Sequence, residues 1–427
     1  MSSVFKIVPT TQQYDWGKVG SRSKVAQLAA ASSISSFVVD ENKPYAELWM
    51  GTHPTSPSCL PLPSNPTLSS HLKANPSLIG APVAERFRDA KEGNLPFLFK
   101  VLSIEKALSI QTHPDKKTAE KLHAELPKIY KDDNHKPELA LALTPFRALC
   151  GFQPLPTIAR NLTSTPELAA LIPPAITEAF ISISSTDSPT SPEAKAALKD
   201  VFAALMTAEE KEFKKQLELL VQRYQNSTSG HPEGSLEELV LQLNSQFPGD
   251  IGIFCAFMLN HVALQPGEAI FLGAGEPHAY VSGDIIECMA NSDNVIRAGL
   301  TPKLRDIPNL ISGLTYVSAE PTRHYVKPSP FPASSNSGNS ELYDPPIPEF
   351  SVVQVKLSTE KKVDETHPPV DGPSIAVVTE GKGSVAWNES GEQSLEVQQG
   401  DVFFVGAGTE VKLNGDGLTL YRALVEV

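Results

Sequence analysis

The chain has 427 residues, 41% of them hydrophobic and 20% charged, which is length and composition for two or three soluble domains and a sizeable core. Its formal net charge of −13 argues against nucleic acid or an anionic membrane as the main partner, though a locally basic pocket for a small anion remains compatible with it. No apolar run approaches bilayer length, and the first residues, MSSVFKIVPTTQQYDWG, lack a secretory signal pattern. The four cysteines, Cys59, Cys150, Cys255 and Cys288, form no C-x-x-C pair. They read as buried thiols of a reducing compartment, the cytoplasm.

Residues 1–150 mix short apolar runs with Gly and Pro turns. FKIVP, AELWMG and FLFKVLSI read as strands, and SSHLKANPSLIG and PDKKTAEKLHAELPKIYKD as helices. Between the last strand and the last helix lies SIQTHPD, residues 109–115. A strand there alternates faces with period two. Leu108, Ile110 and Thr112 then point one way, and Ser109, Gln111 and His113 the other. On its own this is equally an edge strand with a wet face.

The segment YKDDNHKPEL, residues 130–139, packs Asn134, His135, Lys136 and Glu138 around Pro137. The proline biases Lys136 toward extended backbone, so Glu138 begins the strand that runs into LALALTPFRAL. The bland alternative is an exposed charged turn.

Residues 152–250 change character to Ala, Leu, Glu and Lys at helical spacing. TPELAALI, SPEAKAALKDVFAALM and TAEEKEFKKQLELLVQRYQN are predicted helices of an insertion, with their charges on a solvated face. Ser191 before Pro192 is an N-cap signal, and Thr207 with Glu210 and Ser235 with Glu238 fit capping boxes.

From residue 260 strands return in HVALQPGEAIFLGAGEPHAYV, DIIECM and NVIRAGL. Residues 327–348, rich in Pro, Ser and Asn, read as a surface loop. Short strands with Gly turns continue to the end, the pattern of a jelly roll. One repeat stands out. GEAIFLGAGEPH, residues 267–278, resembles GDVFFVGAGTEV, residues 400–411. The first copy ends in His278 and the second in Val411. Two related barrels are predicted, with the chemistry in the first.

Gln111, His113, Glu138 and His278 offer nitrogen and oxygen donors suited to a borderline divalent ion such as zinc. None has helical spacing, so strands distant in sequence must assemble the site. The segment 278–303 adds Tyr280, Glu287, Asp293, Arg297 and Lys303. Glu287 on an apolar strand needs a partner, with Arg297 the nearest candidate. Arg297 and Lys303 could also clamp a phosphate.

YKDDNHKPE and HAYVSGDIIECMANSDNVIRAGLTPK, with SIQTHPDK and AELWMG, resemble the motifs of the type I phosphomannose isomerases. The resemblance spans essentially the whole chain. It implies a mainly β fold: two cupin-type jelly-roll barrels plus an α-helical domain. The expected parts are a discontinuous catalytic domain (1–151 and 260–320), a helical insertion (152–259) and a C-terminal β domain (321–427).

The resemblance also implies one Zn2+ per chain on Gln111, His113, Glu138 and His278. It implies interconversion of mannose 6-phosphate and fructose 6-phosphate through an enediol, feeding GDP-mannose synthesis. Arg297 corresponds to the family's catalytic arginine. Lys100, Ser109, Lys136, Glu287 and Lys303 fall at pocket positions, with Tyr280 and Asp293 beside them. Glu287 is the first choice for the base, with Lys136 and His135 as rivals. Ser109 and Lys100, with Lys303 or Arg297, are expected on the phosphate. The partner is then a small hexose 6-phosphate. The acidic charge argues for no nucleic acid or membrane, and a monomer is expected because no segment advertises an exposed apolar interface. A cupin-type isomerase or epimerase of another sugar phosphate and a non-catalytic sugar-phosphate binder are the other readings.

Overall fold

The structure is a computed structural model that describes residues 2–185, 188–227, 230–332, 338–359, 364–388 and 393–427. Strands dominate both ends of the chain and helices its middle, as the periodicity predicts. Among the described residues no helix is long and apolar enough to cross a membrane.

The first barrel is organised by one long strand, His278–Ala290. Its first half pairs with Ile110–Thr112 and Phe146–Phe152, and its second half with Phe97–Ile104 and Glu138–Ala142. The change of partners falls at Gly283, whose φ is +115°. A Cβ there would stand 2.6 Å from the Pro145 carbonyl oxygen. Only glycine can make this bend.

Alternation then sorts the side chains. Leu139, Leu141, Ile286 and Cys288 face outward into a core shared with Val352, Ile375, Val402 and Tyr421 of the C-terminal strands. Leu102, Ile104, Ala140, Ala142, Tyr280 and Ile285 fill the barrel interior. Glu138, Lys100 and Glu287 belong to that same inward set by parity. The interior is therefore apolar at one end and charged at the other.

The C-terminal barrel is built around Ser374–Trp387 and Val411–Leu424. The repeat is visible in the backbone. Ala269–Leu272 and Val402–Val405 are the matching strands. Gly267 and Gly275 in one copy, and Gly400 and Gly408 in the other, all have positive φ. His278 and Val411 each begin a long strand.

Several expectations are corrected. The strand Val4–Ile7 pairs with Val402–Val405, so the start of the expected catalytic segment joins the C-terminal sheet. The expected 327–348 loop contains the strand Ser340–Tyr343, which pairs with Ser351–Lys356. Phe331 and Tyr343 in that segment are buried. Its residues 333–337 lie outside the described residues. Thr207 does not open a capping box. It closes the helix Pro192–Met206, its hydroxyl donating to the Ala203 carbonyl 2.8 Å away. Ser191 and Ser235 do cap, accepting from the amides of Ala194 and Glu238.

The helices of the insertion bury Leu198, Phe202, Leu217 and Leu243 in a core continuous with Ile110, Leu149 and Ile296 of the barrel. That contact sets the insertion over one end of the barrel. Gly283→Ala is expected to lower stability by about 2–4 kcal/mol, from positive-φ strain and the carbonyl clash. A shift of the urea midpoint at unchanged slope measures it; an unchanged midpoint would show that the bend tolerates a side chain.

Candidate metal centre and active site

Two strand starts and one strand end converge at the charged end of the first barrel. His113 follows Ile110–Thr112, Glu138 opens Glu138–Ala142, and His278 opens the long strand. The three side chains are essentially fully buried, and one donor atom from each lies within 4.8 Å of the others. His113 Nε2 is 3.3 Å from one Glu138 oxygen and His278 Nε2 is 3.3 Å from the other. Gln111 sits directly opposite His278 in the ladder and lines the cavity above.

The imidazole tautomers are fixed from behind. His113 Nδ1 contacts the Asn294 carbonyl at 2.7 Å, and His278 Nδ1 the Glu276 carbonyl at 3.0 Å. A carbonyl only accepts, so both Nδ1 atoms carry a proton, and in the neutral imidazoles both Nε2 atoms present lone pairs. Burial pushes the His113 imidazole down to about 4, so it is neutral at physiological pH. Neither Nε2 has a hydrogen-bond partner. Burial works to raise the Glu138 carboxyl, but the Lys136 ammonium beside it overcomes that and holds the group well below the usual carboxylate range.

Two lone pairs thus face an ionised carboxylate with no proton between them. That arrangement repels itself unless a cation sits at its centre. Zinc bound tetrahedrally at about 2.05 Å sets neighbouring donor atoms roughly 3.3 Å apart. The residues present fit that ion.

Asn294 is itself held. Its Nδ2 donates to the carbonyls of Asp132 and Asn134, at 2.8 and 2.9 Å. Ser292 Oγ donates to Asp132 Oδ1 at 2.7 Å. The DDNHKPE and NSDN loops are thereby stitched together beneath His113. This is the role of Asp132 and Asn294, which the sequence reading missed.

Behind the donors lies a buried charged row. Lys100 Nζ is 3.0 Å from Glu287 and 3.4 Å from Glu47. Glu287 therefore pairs with Lys100, not with Arg297 as the sequence suggested. Burial acts to lower the Lys100 ammonium, but Glu287 and Glu47 push it up, so it stays charged. Burial raises the Glu287 carboxyl, against the pull of Lys100. Tyr280 donates to Glu138 Oε2 at 3.3 Å, and burial beside two carboxylates raises its hydroxyl.

A cavity of about 990 Å³ opens above this row, lined by Glu47, Ser109, Gln111, Arg297 and Lys303 among others. Arg297 lies opposite Gln111 in the ladder, and its guanidinium forms no ion pair or hydrogen bond among the described residues. Burial lowers it from its ordinary value. The insertion supplies the far wall with Glu210, Phe213 and Lys214. These stand at i, i+3 and i+4 on one face of Glu210–Gln225, so part of the predicted solvated face is pocket wall. Helical spacing alone carries no signal of that. Asp250, also missed, holds the segment before Lys303 by accepting from the amides of Leu300 and Thr301 at 2.8 and 3.0 Å.

Four expected contacts fall elsewhere. Lys100 is already balanced by two carboxylates and is 6% exposed, so it has no charge to spare for phosphate. Tyr280 orients Glu138 from below the donor set. Asp293 lies 3.5 Å from His53 and donates its amide to Asp132; a carboxylate there would repel a phosphate. His135 turns away to Glu349, 2.5 Å from Nε2, which removes it as a base. Lys136 stays at the centre, 3.1 Å from Glu138 Oε1.

Such a site defines a metal-dependent enzyme of the cupin type acting on a small anionic substrate. Family models for type I phosphomannose isomerase match its catalytic domain over residues 4–155, its helical insertion domain over 171–259 and its C-terminal part over 340–387. The mannose-6-phosphate isomerase of Cryptococcus neoformans is 51% identical over 99% of both chains. That of Saccharomyces cerevisiae is 45% identical over 100% of this chain and 99% of its own. The phosphomannose isomerase of Salmonella typhimurium, solved with fructose 6-phosphate and zinc, superposes with a TM-score of 0.80 at 30% identity over the full length of both chains. A mannose 6-phosphate isomerase solved with zinc and yttrium gives 0.81 at 30% identity. The chain belongs to the type I phosphomannose isomerase family.

His278→Ala is expected to cut metal retained after dialysis roughly tenfold or more. Atomic emission on the purified protein reads it, and a fully metallated variant would remove His278 from the donor set.

Proposed function

We propose that the protein interconverts mannose 6-phosphate and fructose 6-phosphate, with one zinc ion held by Gln111, His113, Glu138 and His278. The observation that carries the reading is the pair of partnerless imidazole nitrogens facing Glu138 beneath a cavity whose lining includes Arg297 and Lys303. When bound there, zinc supplies a positive centre for sugar oxygens on which negative charge develops.

The chain's own groups divide the remaining work. Moving a proton between neighbouring carbons through an enediol requires a base, and we assign that to Glu287. Its burial raises the carboxyl toward the range where it can both take and return a proton. Lys100, fixed between Glu287 and Glu47, holds the carboxylate in place. Lys136 is committed to Glu138, which disfavours it as the base. Arg297 faces the cavity without an anionic partner and is placed to stabilise the enediolate oxygen.

Ser109 and Lys303 line the cavity wall and are assigned to the phosphate. Binding that remote group positions the reacting carbons. The reading extends to a monomer in the cytoplasm, with the product feeding GDP-mannose synthesis; family membership and scattered exposed apolar side chains support it. We also propose three domains in the expected places, with Val4–Ile7 transferred to the C-terminal one.

A coupled assay on mannose 6-phosphate, with and without chelator, tests the activity. Activity that is absent, or indifferent to chelation, would overturn it. Glu287→Gln is expected to keep its zinc and lose about 10²–10⁴-fold in kcat; near-normal turnover would exclude Glu287 as base. Lys303→Met should raise KM roughly tenfold while kcat stays within a few fold. An unchanged KM would place the phosphate elsewhere.

A further inference from the structure

The two barrels can be aligned position by position from their strand registers. Leu272 pairs with Glu138, and its repeat counterpart Val405 pairs with Ser374. His278 pairs with Gln111, and Val411 with His367. Glu287 pairs with Ala140, two residues beyond Glu138; Arg422 pairs with Ala376, two beyond Ser374. Glu138, Gln111, His278 and Glu287 of the first barrel thus correspond to Ser374, His367, Val411 and Arg422 of the second. Both carboxylates are gone from the second set, and a guanidinium has arrived.

Arg422 points into the second barrel and is 2% exposed; Ser374 and His367 are 0% exposed. Its Nε donates to Ser374 Oγ at 2.8 Å, and its Nη1 lies 3.1 Å from His367 Nδ1. That nitrogen must therefore accept, so His367 Nε2 carries the proton and donates to Ser340 Oγ at 3.0 Å. Burial and the neighbouring arginine push His367 down to about 3, so it stays neutral. Burial brings Arg422 down only to about 10, so it stays charged. The Phe331 ring packs at a right angle to His367, with the ring centroids 4.9 Å apart.

Arg422 Nη2 has no hydrogen-bond partner. Among the described residues no carboxylate lies within ion-pair distance of Arg422; Glu426 acts on it only at longer range. A buried charge with a free donor and no ion-pair partner is costly and is relieved by a counter-charge. We propose that the second barrel binds a small inorganic anion of halide size on Arg422 Nη2, at the place that corresponds to the metal centre. Substituting the carboxylates by a hydroxyl and a guanidinium inverts the sign of the ion selected. The closure around Arg422 excludes phosphate esters and other bulky anions.

Bromide tests this on the full, zinc-loaded chain. Crystals soaked in sodium bromide should show an anomalous peak within about 3.5 Å of Nη2, the range of a charge-assisted contact lengthened for the larger ion. Ordered water or protein density there, without a peak, would overturn the proposal. In solution, replacing gluconate by chloride at fixed ionic strength should raise the melting temperature by roughly 2 °C. Arg422→Met should abolish that rise; a rise that persists in the folded variant would equally overturn it. Should the variant fail to fold, the bromide map on the unaltered chain decides alone.

Discussion

Glu138 is a carboxylate sealed inside a barrel, and the architecture around it follows from making that tolerable. An ionised group in low dielectric needs opposite charge and hydrogen bonds. Lys136 is 3.1 Å away on one side and Tyr280 3.3 Å away on another. The two imidazoles add no proton, because their Nδ1 atoms are spent on backbone carbonyls. What they leave is a cluster of lone pairs that a divalent cation completes. The loops that fix those carbonyls are stitched by Asp132, Asn134, Ser292 and Asn294, so preorganisation reaches well beyond the donors.

The same barrel architecture carries opposite electrostatics in its two copies. In the first, inward-facing Glu138 and Glu287 create a site for cations, and Lys100 offsets one of them. In the second, the corresponding positions are Ser374 and Arg422, and Val353 stands where Lys100 would be. Backbone register and glycine turns persist while the inward side chains change sign. Fold and function are thus separable here at the level of four or five residues. The outward faces of both barrels meet in one apolar core, which explains why Val4–Ile7, at the start of the chain, pairs with a strand from residues 402–405.

Much of the fold was legible from local rules. Ser191 and Ser235 announced helix starts, and the capping geometry is present. Thr207 obeyed the same pattern and yet ends a helix, because a hydroxyl can equally donate to a carbonyl one turn back. The alternation in SIQTHPD gave the facing of Ser109 and Gln111 correctly, since period two is a property of the strand itself. The wall formed by Glu210, Phe213 and Lys214 was not legible. A polar helix face looks the same whether it meets water or a cavity.

The sequence by itself determined the donor types, their strand positions, the barrel repeat and the helical insertion, because each is written in short-range pattern and composition. Only the tertiary structure decided which charges meet. It paired Lys100 with Glu287 and Glu47, turned His135 to Glu349, moved Asp293 to His53 and left Arg297 facing the cavity. Electrostatic partners are chosen by distance in space across segments hundreds of residues apart. A linear pattern lists the charges but holds no information about those distances.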